Sequence, residues 1–581
     1  MDDKAEELTT AYQEGQLIDA AYKLSRGSKE NRKAISTLLS ELHNKGDIDL
    51  LKSYLSLSNN SQTGPDFFLS RRLFEKALPA LKAPVEQVML CIQHLASEAG
   101  NDLAANTVFG PFIEFLAVDS TRPLRALEVI RESPVKVANF VSPVIIAGTR
   151  TNLEEYFGYA TELVTHEIPD VSINAIYSLG RISYAQTSYL PVRAIEEIKR
   201  ISEEHHDDRY MAVVIKTASS LAKLDASLVE PAFTAVTNAL RSGSDQALHA
   251  ATEVFGFEAN DLPDELLNLL ISNLPRVKAE NGGSINNIDF GISALFKKDK
   301  NRAIGCLEKI LLSNPDTLSL KAFDSFIHEI LSADLATLNH MLTRWFIRGD
   351  RVLCTAITEM IEPVHGNQLS MEIDPQALPN NDPVTLIFLA RKAIGYLFFK
   401  PVSVSSILIS LLRAATDEDV MKELEELLLD PLLLNYPGSA REFLEARISK
   451  EPEHVSVIIE SVLKRLEEYL EKIRSIEDVP ELLPALRQRE AYMRNFNRQM
   501  SESYKQAMKG SIVEMIATKS VILYGRSSIN YVRQATSSSS RMEIPMQAHS
   551  VEMEFPRRHN LDPFGLDYLL RVFRAERMVG R

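Results

Sequence analysis

Asp170, Asp208 and Asp245 each open a segment whose apolar residues step by three and four, and they follow one another at intervals of 38 and 37 residues. Amphipathic helices recurring at such an interval leave few folds open. A single helix pair cannot bury its own apolar stripe, so each pair must cover the next and the chain grows by stacking. The stretch from Pro169 to Ile182 shows the unit best. Val171, Ala175, Leu179 and Ile182 share one helical face, Asp170 is placed to cap it, and Gly180 sits beside the face. A missing side chain there predicts a close approach by a neighbouring helix.

The neighbouring segments keep this pattern. Thr151-Asn152-Leu153-Glu154 has the spacing of a capping box ahead of Tyr156, Ala160 and Leu163. Val192, Ile195, Ile198 and Ile201 form an apolar row, followed by Met211, Ile215, Ala218 and Ala222 behind Asp208. Leu228, Ala232, Val236 and Leu240 then precede Ala247, Ala251, Val254 and Gly256 behind Asp245. Gly180, Ala222 and Gly256 are 42 and 34 residues apart, and Phe296 holds the matching place 40 further on. With its Asp-Val start, Leu-Gly end and interval near forty, the stretch 151–257 resembles HEAT and armadillo repeats. The resemblance implies a right-handed α-solenoid, and an Asp of one repeat stacked on an Arg of the next, with Arg181 a candidate partner. It implies no activity.

Helical periodicity runs from Glu6 to about Glu418, through segments such as Asn31–Leu42, Asp49–Leu57, Phe67–Leu81, Val85–Ala96, Leu318–Leu331, Asp334–Trp345 and Val384–Phe398, and residues up to 450 keep it, as in Val420–Leu429. Ile361–Asp382 reads as a long loop. Near His454 the pattern changes. Ile459, Val462, Leu466, Tyr469 and Ile473 form a short heptad seam, and a second helix carrying Leu486, Met493, Phe496 and Met500 follows Pro480 and Pro484. Together they predict a long helical hairpin. Thr536–Ser540 reads as a polar linker. Met542, Ile544 and Met546 alternate with Glu543, Pro545 and Gln547, and Val551, Met553 and Phe555 with Glu552 and Glu554, which predicts a small β-hairpin. Asp562-Pro563 starts a last helix with Leu566, Leu570 and Phe573 as its stripe. The expected class is therefore all-α: a HEAT-like α-solenoid over 1–450, a long helical hairpin over 451–520, and a C-terminal tail over 521–581 with a β-hairpin and a basic amphipathic helix. The tail is expected to cover its apolar faces on the helices of 455–518.

Chemistry is sparse. Cys91, Cys306 and Cys354 are far apart, which argues against a disulfide framework and a cysteine zinc site and suits a reducing compartment. The acidic start, Met1-Asp2-Asp3-Lys4, is no signal peptide, and the strongest apolar run, Ile394–Val404, is too short to span a bilayer. A cytoplasmic or nuclear protein is expected. The densest ligand-type cluster, Glu203 to Asp208, reads as a solvated inter-helix loop, and no HExxH, GxSxG or P-loop pattern occurs. No metal, no cofactor and no enzymatic activity are expected.

Charge is the sharper signal. Residues 481–581 hold 16 Lys and Arg against 10 Asp and Glu, a net of +6, while the remaining 48 against 69 leave −21. Arg571, Arg574, Arg577 and Arg581 form a stripe on the last helix, preceded by Arg557 and Arg558. These six arginines are the candidate partner-binding residues. Their partner would be a protein with an acidic surface; nucleic acid is the alternative, opposed by the overall charge of −15. The function expected is that of a non-catalytic scaffold or adaptor within a larger assembly.

Overall fold

The computed structural model describes residues 2–59, 65–100, 102, 104–185, 188–205, 207–364, 369–378, 382–476, part of 487–502, the strand backbones 517–523, 527–533 and 539–545, and 554–578. The chain divides into two compact units, Met1–Asp334 and Leu335–Arg581. The boundary therefore falls within the expected solenoid region, and the expected hairpin and tail belong to the second unit.

The first unit is built from helices, with no strand among its described residues. Its early helices lie where the apolar periodicity puts them. Asp49 caps Leu50–Tyr54 through the Lys52 amide at 3.0 Å, and the next helices are Phe67–Ala77 and Val85–Ala99. The repeat proper comprises α1 (Leu153–Val164), α2 (Pro169–Leu179), α3 (Leu190–Glu204), α4 (Asp208–Ala222), α5 (Val229–Leu240), α6 (Asp245–Glu258), α7 (Asp264–Asn273) and α8 (Gly282–Lys298). Helices α1, α3, α5 and α7 touch in succession and form one row; α2, α4, α6 and α8 form the other. This two-row stack is what the recurring stripes require. Every apolar residue named for the stripes of α1–α6 is buried except Val192, while Leu153 at the start of α1 is half-buried.

Small residues let the second row close up. A Cβ on Gly180 would stand 3.0 Å from Thr217 Cα, and Thr217 Oγ1 donates to the Ile176 carbonyl at 3.2 Å. The expected close contact of Gly180 is thus with α4. Gly256 repeats it against α8, where a Cβ would stand 2.6 Å from the Asn287 carbonyl oxygen.

The caps differ from expectation by one residue. Asn152, not Thr151, caps α1, accepting from the Glu155 amide at 3.3 Å. Asp207 and Ser244 cap α4 and α6, and Ile168 precedes α2 without a side-chain cap. Asp170, Asp208 and Asp245 lie in the first turns instead, where a carboxylate favours the positive end of the helix dipole. Two of them also reach the next repeat. Asp170 pairs with Arg209 at 3.3 Å, not with Arg181, whose guanidinium lies over its own Tyr177 ring; Asp245 pairs with Lys278 at 3.2 Å. Exposed pairs of this kind contribute about 0–1 kcal/mol each, so apolar burial holds the stack.

In the second unit, α9 (Leu335–Arg348), α10 (Arg351–Ile361), α12 (Pro401–Ala414), α13 (Glu418–Leu427) and the final helix α16 (Pro563–Ala575) all contact α11 (Pro383–Leu397). Two further helices, α14 (Ser439–Glu445) and α15 (Glu453–Arg474), pack beyond α12. Burial of α11 on nearly every side follows from Leu386, Phe388, Leu389, Ala393, Ile394 and Leu397, which spread round its circumference. The α15 seam buries Val455, Ile459, Val462, Leu466 and Leu470, whereas Tyr469 and Ile473 are exposed. The expected second helix of the hairpin falls largely outside the described residues.

Three strands, β1 (Ala517–Leu523), β2 (Ser527–Arg533) and β3 (Ser539–Pro545), form an antiparallel sheet in that order, with Val521 opposite Ile529 and Asn530 opposite Met542. The second strand of the expected β-hairpin, at 551–555, falls largely outside the described residues. The segment at Met542–Ile544 is a strand, but its partner precedes it in sequence; Glu554–Pro556 has no strand, and 546–553 lies outside the described residues. Ser539 and Ser540 belong to β3 and not to a linker. The overlooked signal is the pair of β-branched runs on either side of Gly525.

Candidate functional site

The last helix starts as its sequence dictates: Pro563 is the first helical residue, and Asp562 accepts from the Gly565 amide at 2.9 Å. Leu566, Leu570 and Phe573 are buried, each worth about 1.5–3 kcal/mol. Their cover is α11; of the helices expected to cover them, most of 477–518 lies outside the described residues. The reason lies in α11, which has no Cβ at Gly395, where one would stand 3.2 Å from Phe573 Cβ.

Polar contacts fix the register of this pair. The buried Lys392 donates to the Arg574 carbonyl at 2.6 Å, with its ammonium 5.1 Å from the Phe388 ring centroid. Arg574 Nε donates to the Gly395 carbonyl at 2.5 Å. Arg391 bridges Glu576 at 2.9 Å and Glu423 at 3.0 Å. Upstream, the Glu554 carboxylate accepts from the Gly438 and Ser439 amides at 2.7 and 2.8 Å, capping α14. The backbone amides of Arg557 and Arg558 donate to Asn435, and the Arg558 side chain pairs with Asp430 at 3.3 Å. Residues 554–578 are therefore sewn into the second unit.

The six candidate arginines separate into groups. Arg557 and Arg558 lie at the Asn435–Asp430 contact, and Arg581 is outside the described residues. Arg571, Arg574 and Arg577 line a single cavity of about 540 Å³, open to solvent. Its opposite wall is Arg351, Thr355 and Thr358 of α10, with Tyr396 and Phe399 between. Helical spacing places Arg571 and Arg574 on α16, whereas Arg577 stands past its end at Ala575 and not on the expected stripe; spacing could not reveal Arg351, which lies 220 residues before Arg571. Among the described residues no carboxylate lines the cavity. Arg571 pairs with Asp567 at 2.8 Å on the same helix, whereas Arg574 and Arg577 form no ion pair with another described residue. The arrangement can hold an anion.

On the outer face of α16, Phe564, Tyr568 and Val572 recur at every fourth residue, and Phe564 and Tyr568 are 86% and 72% exposed. This apolar stripe lies beside Arg571 and Ala575 on the helical wheel, so it is continuous with the cavity rim.

Elsewhere, groups of types able to carry chemistry have structural partners. Within the 203–208 cluster, Glu204 pairs with Arg200, the His205 ring stacks on Tyr210 and Asp207 caps α4. Burial pushes the thiols of Cys91, Cys306 and Cys354 up to about 12, so each is protonated near neutrality. Among the described residues no group of His, Cys, Asp and Glu is disposed to hold a metal ion, and no helix is long and apolar enough to cross a membrane.

Neither a family description nor a curated protein matches the chain. Solved structures do. One is a structure reported for a conserved phosphorylation switch controlling the interaction between cadherin and β-catenin, at 14% identity and a TM-score of 0.23, covering 80% of this chain and 95% of that one. A second is a structure of APUM23-GGAGUUGACGG, at 11% identity and a TM-score of 0.25, covering 80% and 97%. A third is a circular tandem repeat protein with novel repeat topology, at 14% identity and a TM-score of 0.16, covering 81% and 98%. TM-scores this low carry no conclusion about this chain, whose helical-repeat character rests on its own two rows of helices.

Proposed function

We propose that this chain is a non-catalytic scaffold or adaptor, a right-handed α-solenoid in its repeat region, that binds protein partners within a larger assembly. Its C-terminal helix would be the docking point for an acidic partner. One observation carries this reading: α16 is anchored by one face and by its neighbours, yet presents arginines and large apolar side chains on the other. An exposed stripe of that size beside a basic cavity is what a protein-binding surface offers. The same reading takes the chain to work in the cytoplasm or nucleus, without cofactor or metal.

Titration of the full chain with a Glu-rich peptide that also carries aromatic residues, and with single-stranded RNA, tests it across a salt series. Phosphate-backbone binding weakens steeply as salt rises. Peptide binding that persists at physiological salt and depends on both Arg571 and Phe564 supports the scaffold reading. RNA binding that exceeds peptide binding there would replace it with the nucleic-acid reading.

A further inference from the structure

We propose that the cavity between α10 and α16 receives a phosphorylated side chain of a partner peptide, whose adjoining apolar residue lies on the Phe564–Tyr568–Val572 stripe. This deepens the proposed function and rests on it.

Three observations point to a phosphate monoester. First, Arg351, Arg571, Arg574 and Arg577 line one cavity that has no carboxylate in its wall, and two of the four guanidinium groups have no anionic partner among the described residues. A carboxylate supplies one negative charge and two acceptor oxygens. A phosphomonoester supplies about −1.5 to −2 and three acceptor oxygens, which several guanidinium forks can share bidentately. Second, the volume of about 540 Å³ suits one side chain and its neighbours. It is a local pocket and not a track along which a nucleic-acid backbone could run. Third, the surrounding rim is mixed in sign. Asp567 stands beside Arg571, and Glu576 next to Arg577 is held by Arg391, so the positive field is confined to the cavity mouth. Acidic flanks disfavour a nucleic-acid backbone that must run on past the cavity and tolerate a peptide that sets its negative charge in the cavity mouth.

Arg574 is also structural through its Nε bond to Gly395, so Arg577, exposed and outside the helix, is the residue to vary. Fluorescence anisotropy on the full chain would use three versions of one degenerate peptide library: fixed phosphoserine or phosphothreonine at the centre, the same position as Ser or Thr, and the same position as Glu. A single-stranded RNA serves as the fourth probe. The phosphorylated library should bind at least about tenfold more tightly than either other version. Arg577→Gln should remove about tenfold of that affinity, and Arg577→Lys should restore part of it, because the charge returns without the fork. Both variants should unfold at the temperature of the parent. Phe564→Ser should weaken all three libraries and leave the preference for phosphate intact. Equal binding of the Glu and phosphorylated libraries would overturn the phosphate inference while leaving the acidic-partner scaffold standing. Tighter binding of the RNA than of every peptide would overturn both. Failure of the phosphorylated library to bind would overturn the inference.

Discussion

Lys392 Nζ donates to the Arg574 carbonyl at 2.6 Å across the contact between α11 and the final helix, and Arg574 Nε donates back to the carbonyl of Gly395, three residues after Lys392, at 2.5 Å. A cation at the C-terminal end of a helix also meets the negative end of its dipole. The tail is thereby held in one register on α11, and that register sets Arg571 and Arg577 opposite Arg351.

Replacing Lys392 by Met keeps the stem against Phe388 and Tyr396 but leaves the Arg574 carbonyl without its donor. A partly buried acceptor left unpaired costs about 1–3 kcal/mol. Amide exchange in 563–575 should accelerate accordingly, with no change in the helices of 1–334. Unaltered exchange in the tail would show that the apolar stripe alone fixes the helix.

The same lysine gives stability a pH dependence. Burial lowers its pKa from the ordinary value of 10.5, so the unfolded chain holds the proton more tightly than the folded one. Stability should be flat at lower pH, rise as pH climbs through the lowered folded value, and level off above 10.5. Glu372 acts in the opposite range. Hydrogen bonds from Arg413 hold its carboxyl below the usual value of 4.5, against the effect of burial. Its contribution is full above 4.5 and is lost as pH falls through the folded value. Chemical denaturation across pH should show the alkaline rise abolished in Lys392→Met and the acid loss reduced in Glu372→Gln.

Three glycines should rank by what their missing Cβ would meet. Gly256→Ala sets a methyl 2.6 Å from a backbone carbonyl and should destabilise most. Gly180→Ala meets Thr217 Cα at 3.0 Å and should cost less, with Gly180→Leu reaching roughly 1–3 kcal/mol. Gly158→Ala meets nothing within 4 Å and should stabilise α1 by about 0.5–1 kcal/mol. Thermal unfolding of the set decides. A reversed order would contradict the stacking described for the second row.

Glu554→Gln removes the charge that caps α14. Loss of such a cap costs about 0.5–2 kcal/mol. The amides of Gly438 and Ser439 should exchange faster while the helix at 563–575 stays protected, which separates this anchor from the one at Lys392.

Much of this architecture could be read along the chain. Burial of Val171, Ala175 and Leu179, or of Leu566, Leu570 and Phe573, follows from helical spacing because the stripe and its cover are both local consequences of period. The close approach at Gly180 was legible for the same reason. Cap positions slipped by one residue because Asp207 and Asp208 are adjacent and either suits the helix start. What spacing could not show is which helix covers which. The tail's place on α11 depends on an apolar surface and an absent Cβ at Gly395, and the cavity depends on Arg351, which no local pattern links to Arg571. The three-stranded sheet was half legible: alternation marked Met542–Ile544 as a strand, but pairing is a property of two segments.

The central claim is that the exposed face of the final helix binds a protein partner and does not hold the fold together. Arg571→Glu/Arg577→Glu in the full chain tests it most directly, with unfolding temperature and binding of the Glu-rich aromatic peptide measured on the same preparation. The account predicts an unfolding temperature equal to that of the parent and peptide affinity reduced by about tenfold or more. A lowered unfolding temperature with peptide affinity unchanged would contradict it.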